Sequence, residues 1–211
     1  MKTAILGIPF LLVSWIAELN AQVTIDGIYL SANDFINHKL SFKNSKAGNT
    51  YQLCADEQMN SSCIKILAGN DMIRLKKDSI FGYRNNKHNS FRFYKKTAYE
   101  ILNPSEPILI YCSTPSTTTA TSYSEKIYYF SLKPFSPVYP LTMRNLELVF
   151  NKDDRFKKLL EAYFHSDDEL SVFDSVHKMY FLNRIHDESK LESTEYDERI
   201  NEYKSKCGIF Y

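Results

Sequence analysis

Residues 64–66, 73–76 and 91–94 read Ile-Lys-Ile, Ile-Arg-Leu-Lys and Phe-Arg-Phe-Tyr. Apolar side chains there fall on alternate positions, the period at which a strand sends one set to a core and the other to water. The alternation recurs from Gly27 to Leu132. It is punctuated by turn chemistry at Gly69-Asn70-Asp71, at Asn85-Asn86-Lys87-His88-Asn89 and at Asn103-Pro104-Ser105-Glu106-Pro107. Such punctuation predicts an antiparallel meander of about six to eight strands over residues 23–140, not βαβ units. Residues 108–112 are apolar on both faces and should be central. Ser31-Ala32-Asn33-Asp34 carries helix-capping types and predicts a short helix over Phe35-Ile36. Residues 114–124, almost all Ser and Thr, predict a mobile loop.

After Pro140 the period changes. Phe156, Leu159, Leu160, Tyr163 and Phe164 form one stripe of a helix. Ser166-Asp167-Asp168-Glu169 has the spacing of a capping box. A following helix over residues 170–184 would carry Leu170, Phe173, Tyr180 and Phe181 on one side and Val172, Val176 and Met179 on another, and should be largely buried. The charged end, with Glu195–Arg199 and Glu202–Lys206 at i, i+4, reads as an exposed helix or tail. The expected fold class is therefore α+β, an antiparallel sheet followed by C-terminal helices packed on it.

The chain opens with Lys2, an apolar run from Ala4 to Val13, and Leu19-Asn20-Ala21, the order of a cleavable secretory signal over residues 1–21. That run is shorter than the roughly 20 residues of a membrane span, and nothing later approaches that length, so no membrane span is expected. Residues 22–211 suit one domain, with a β-rich part (23–140) and a helical part (141–211). With 15 Tyr and 14 Phe against 6 Gly, the composition fits packed strands better than Gly-rich phosphate loops. Charge is uneven. Residues 1–140 hold 15 Lys and Arg against 10 Asp and Glu, and residues 141–211 hold 11 against 15, as expected of an acidic helical part docked on a basic sheet. Cys54, Cys63, Cys112 and Cys207 allow three disulfide pairings in an oxidising compartment. Cys54 and Cys63 flank the polar stretch 55–62, so a local bridge between them is the first choice, while Cys112, at the end of an apolar strand, can be read as a plain buried thiol.

The residues Pro137-Val138-Tyr139-Pro140-Leu141-Thr142, the helix over 155–164 and the stretch from Glu169-Leu170 through Phe173-Asp174 and His177-Lys178-Met179-Tyr180 to Asn183-Arg184 resemble a family of uncharacterised secreted proteins of the Bacteroidetes. Residues 78–84 and 91–94 are similar to the sheet part of that family. The resemblance implies a bacterial, exported protein and supplies no catalytic residues.

Zinc-protease, nucleophile-elbow, phosphate-loop and dinucleotide motifs are absent from the sequence. His177 and His186 lie nine residues apart and His165 precedes a cap, so no metal site and no cofactor is expected. Asp174, His177 and Arg184 form the best polar constellation, the carboxylate placed to orient the imidazole as in acid–base sites. A structural ion pair is the simpler reading. The hairpin region interleaves Arg74, Lys76, Arg84 and Arg92 with Tyr83 and Tyr94, the mixture an acidic glycan or a nucleic acid would meet. Export makes nucleic acid unlikely. The function expected is a secreted or periplasmic, non-enzymatic module binding a cell-envelope protein or glycan. The alternative is an exported hydrolase around Asp174 and His177.

Overall fold

The computed structural model describes residues 25–43, 51–54, 62–68, 70–113 and 126–191. The N-terminal signal pattern, the Ser/Thr-rich residues 114–124, the pairs Glu195–Arg199 and Glu202–Lys206, Cys207 and the Cys54 side chain lie outside the described residues. The architecture is α+β. Strands β1 (Ile25–Tyr29), β5 (Gly82–Asn85), β6 (Ser90–Tyr94), β7 (Thr97–Ile101), β8 (Leu109–Ser113), β9 (Ile127–Ser131) and β10 (Tyr139–Pro140) form a seven-stranded sheet in that spatial order. Every neighbouring pair in it is antiparallel. Strands β2 (Tyr51–Cys54), β3 (Cys63–Ala68) and β4 (Asp71–Lys76) form a separate meander inserted between β1 and β5. Helices α2 (Met143–Val149), α3 (Asp154–Tyr163) and α4 (Phe181–Ser189) follow, with a small hairpin, β11 (Phe173–Asp174) and β12 (Met179–Tyr180), before α4.

Three cores result, because both faces of the large sheet are covered. On one face Ile110 and Phe130 pack against Leu146, Phe156, Leu159, Leu160 and Ile185 of the helices. Further along the same face, Ile28 and Phe93 pack against Ile64 and Ile66 of the small sheet. On the opposite face Tyr29, Ile101, Leu109 and Tyr111 are buried with Phe35, Phe81 and Val138. Fully burying a side chain of this size contributes about 1.5–3 kcal/mol.

Local sequence explains the elements that the pattern anticipates. Helix α1 (Ala32–Ile36) has a complete capping box between Ser31 and Asp34, and its Phe35 stacks on Phe81 at 4.8 Å. Helix α3 is capped by the Asp153 carboxylate, which accepts from the Phe156 N–H, and the stripe Phe156, Leu159, Leu160, Phe164 is buried. The β5–β6 turn is closed by Asn85, whose side-chain oxygen accepts from the N–H groups of Lys87 and Asn89. The turn from β6 to β7 instead puts Lys95 and Lys96 at φ 48° and 70°, where Asn-Gly is the usual choice. Gly82 is required by close approach, since a Cβ there would lie 1.8 Å from the Phe91 carbonyl oxygen.

One expected element is not a helix. Residues 170–184 break into the end of a 3-10 turn (Asp167–Ser171), the β11–β12 hairpin and α4. The Asp174 carboxylate accepts from the N–H groups of Val176 and His177, an Asx turn that competes with helical bonding. Lys178 then takes φ 58°, a left-handed conformation no helix continues through. Phe173 and Val176 are consequently 50% and 82% exposed instead of buried. The capping box does not form: Ser166 makes no side-chain cap, and Glu169 accepts at 2.7 Å from the N–H of His165, one residue before the cap.

Candidate functional site

The hairpin does bring Asp174, His177 and Arg184 together. Asp174 Oδ2 lies 2.7 Å from His177 Nδ1 and 3.5 Å from Arg184 Nε. Arg184 also stands over the Phe181 ring at 4.5 Å. The His177 N–H, with the imidazole and the Val176 N–H, holds the Asp174 carboxyl below its usual range. Asp174 thus meets a cation of α4, not cations of the sheet. Among the described residues the second ring nitrogen of His177 has no hydrogen-bond partner, so no nucleophile is placed for it to activate.

The basic and aromatic residues of the hairpin region are not assembled into one surface. Arg74 and Lys76 stand opposite Lys65 and Cys63 on the outer face of the small sheet. Arg84 is committed to Asp26 at 2.6 Å. Arg92 is 5% exposed, on the sheet face away from the small sheet. Its guanidinium donates to Tyr111 Oη (3.0 Å), Ser131 Oγ (3.2 Å) and the Ser136 carbonyl (2.7 Å). The rings of Phe81, Tyr94 and Tyr111 lie 5.5 to 5.8 Å away. A buried cation requires such satisfaction, and the fork ties the segment after β9 to the sheet. Tyr94 shares that face, whereas Tyr83 lies on the other. In the small sheet Cys54 is registered opposite Lys65 and Cys63 opposite Lys76.

What the register does assemble is a row that no sequence motif marks. Ile28, Tyr83, Phe91, Glu100, Cys112 and Tyr128 stand directly across from one another in turn, one residue from each of β1, β5, β6, β7, β8 and β9. The row crosses from the small-sheet core, where Ile28 is buried, to the helical core. Tyr83 packs against the first and Tyr128 against the second, while Phe91 and Glu100 are half-buried members of neither. Tyr83 and Phe91 stack at 4.7 Å with rings 5° from parallel. Asn89 donates to Glu100 Oε1 at 2.8 Å. Among the described residues no cation lies within ion-pair distance of Glu100.

Burial holds the proton more tightly on three groups near the row, Tyr83, Tyr180 and Cys112. Burial, reinforced by the Glu100 charge, pushes the Tyr83 phenol up to about 12. Burial, with Tyr128, Glu106, Cys112 and Glu100 close by, does the same for Tyr180 at the helical edge. Burial also raises the Cys112 thiol, against the opposing pull of Lys126. The strip therefore offers hydroxyl donors, one carboxylate acceptor and ring faces, with a thiol that is a poor nucleophile.

Among the described residues no group of three or more His, Cys, Asp or Glu side chains is placed to hold a metal ion. No helix there is long and apolar enough to cross a membrane. No family model, no curated protein and no solved structure matches the chain.

Proposed function

We propose that the chain is an exported, non-enzymatic binding module that seats a glycan of the cell envelope on the cross-strand strip from Tyr83 to Tyr128. The observation that carries this reading is the row itself, in which Tyr83, Phe91, Glu100 and Tyr128 are half-buried, Cys112 is buried, and Glu100 has no ion-pair partner among the described residues. Aromatic faces take the C–H faces of sugars, and a carboxylate with protonated phenols exchanges hydrogen bonds with their hydroxyls. The signal-like N-terminus and the resemblance to secreted proteins of the Bacteroidetes support export. A pull-down from the native cell envelope, followed by glycan analysis, tests the reading. Bound glycan should be depleted for Glu100→Gln and Tyr128→Ala, and equal recovery by parent and variants would remove the strip from consideration.

An exported hydrolase around Asp174 and His177 is the second reading, favoured by their 2.7 Å contact. A panel of chromogenic esters and glycosides tests it. Turnover by the parent that vanishes in His177→Ala would establish the hydrolase.

A further inference from the structure

We infer that β4 is an open edge at which the domain takes up an extended strand of another protein, one whose residues alternate between acidic and apolar. The site is separate from the Tyr83–Tyr128 row and independent of the glycan reading. β4 is the outer strand of the small meander, paired with β3 on one side and, among the described residues, with no strand on the other. Asp71, Met72, Ile73, Arg74 and Lys76 are all exposed along it.

Backbone parity decides which groups are on offer. The Lys77 N–H donates to the Ser62 carbonyl at 2.9 Å. In the β3–β4 register the hydrogen-bonded pairs are therefore Ile64–Leu75, Ile66–Ile73 and Ala68–Asp71. Met72 and Arg74 lie between them and turn N–H and C=O outward, the template that an added strand uses.

Side chains set what kind of strand fits. On the inner face Leu75 packs on the core of Ile64 and Ile66, and Ile73 beside it is still 36% exposed. An apolar side chain arriving there would extend that core. On the outer face Lys65 stands directly across from Arg74, with Lys76 two positions on. Like charges so placed repel, and Arg74 and Lys76 make no ion pair among the described residues. Acidic side chains at alternate positions would relieve that repulsion. The same charges disfavour a second copy of the chain. Antiparallel pairing about a two-fold axis at Ile73 would gather Lys65, Arg74 and Lys76 of both copies on one face.

Fluorescence anisotropy with labelled octapeptides tests this, one alternating Glu and Val and the other alternating Lys and Val. Charge complementarity should make the acidic peptide bind about tenfold tighter than the basic one, and Arg74→Glu should reverse that order. Met72→Pro removes an outward N–H while leaving the β3 pairing and the charges in place, so it should weaken the acidic peptide about as much. With that peptide bound, amide exchange at Met72 and Arg74 should slow, while Ile73 and Leu75, already bonded to β3, should change little. Equal affinity for the two peptides would overturn the charge selection. No binding, or binding without new protection at Met72 and Arg74, would overturn strand addition at this edge. Dimerisation of the chain that Met72→Pro abolishes would give the edge to a second copy and overturn the inference as well. Should Met72→Pro fail to fold by circular dichroism, the Arg74→Glu reversal and the exchange pattern decide the matter without it.

Discussion

Asn183 grips the backbone of Ile108 from 75 residues away. Its side-chain oxygen accepts from the Ile108 N–H at 2.8 Å, and its nitrogen donates to the Ile108 carbonyl at 2.9 Å. Asn103 adds a second clamp, donating to the same carbonyl and accepting from the Ile110 N–H. All of these groups are buried, so α4 is joined to the start of β8 by amide geometry as well as by apolar packing.

Replacing Asn183 by Ala strips both bonds without adding bulk, leaving the Ile108 N–H buried without an acceptor. The variant should lose about 1–3 kcal/mol, the penalty for an unsatisfied buried polar group. Urea melts decide it, and an unchanged midpoint would mean that α4 is held by apolar contacts alone.

Gly82→Ala should be among the most damaging single-methyl additions. The new carbon would sit 1.8 Å from the Phe91 carbonyl oxygen, which is backbone and cannot swing aside. Separation of β5 from β6 should cost about 3 kcal/mol or more. A melting temperature within error of the parent would contradict the close approach.

Two aromatic residues of the helical part, Phe156 of α3 and Phe173 of β11, should separate cleanly by burial. Phe156→Ala removes a fully buried ring and should cost about 3–5 kcal/mol. Phe173→Ala, at a half-exposed position against Tyr180, should cost about 1 kcal/mol or less. Chemical denaturation of the pair checks this. Equal losses would restore a buried helix through residue 173.

These contrasts show what the chain spelled out and what it did not. The α3 stripe is legible because four of its five members are buried and Tyr163 is partly so, and the Ser31–Asp34 box because it is local. The stretch after Leu170 misled because its apolar residues happen to fit helical spacing, while the decisive interaction is the short-range Asx turn at Asp174. Arg92 misled for another reason. Alternation implies aromatic inward and charge outward only where one face of the sheet meets water, and this sheet is covered on both faces. The Tyr83–Tyr128 row was illegible, since it depends on the lengths of several hairpins and on the register shift in β1 between Ile25 and Gly27.

Stability should fall as pH drops below neutrality, and His186 should account for part of the slope. Its ring packs against Phe150 and Phe156. Burial, then Lys190, holds its pKa below the ordinary 6.5, with Asp187 and Asp153 pulling the other way. The unfolded chain therefore binds the proton more readily than the folded one. Stability is complete above about pH 6.5 and declines as pH falls from there toward the depressed folded value. Urea midpoints measured from pH 7.5 to 5 should show the decline, and His186→Phe should flatten it. Identical slopes for parent and variant would clear His186 of any role.

The Lys95-Lys96 turn invites the opposite kind of change. Both residues occupy left-handed backbone, which Asn and Gly adopt more readily. Substituting Asn-Gly should stabilise the domain by about 1 kcal/mol, read as a rise in the thermal midpoint. A fall would show that the lysines make contacts that outweigh their backbone strain.

The large sheet is also bounded in a way that restricts how anything can join it. Along β1, Ile28 exchanges both backbone hydrogen bonds with Ser41, so the chain's own return segment occupies that margin. At the other margin β10 is only Tyr139–Pro140, and a proline nitrogen has no hydrogen to extend a ladder. An incoming peptide strand therefore finds one end already occupied and the other lacking a donor. Runaway polymerisation by edge pairing is blocked at both ends of this sheet, and whatever the domain recognises there must come down onto its broad side.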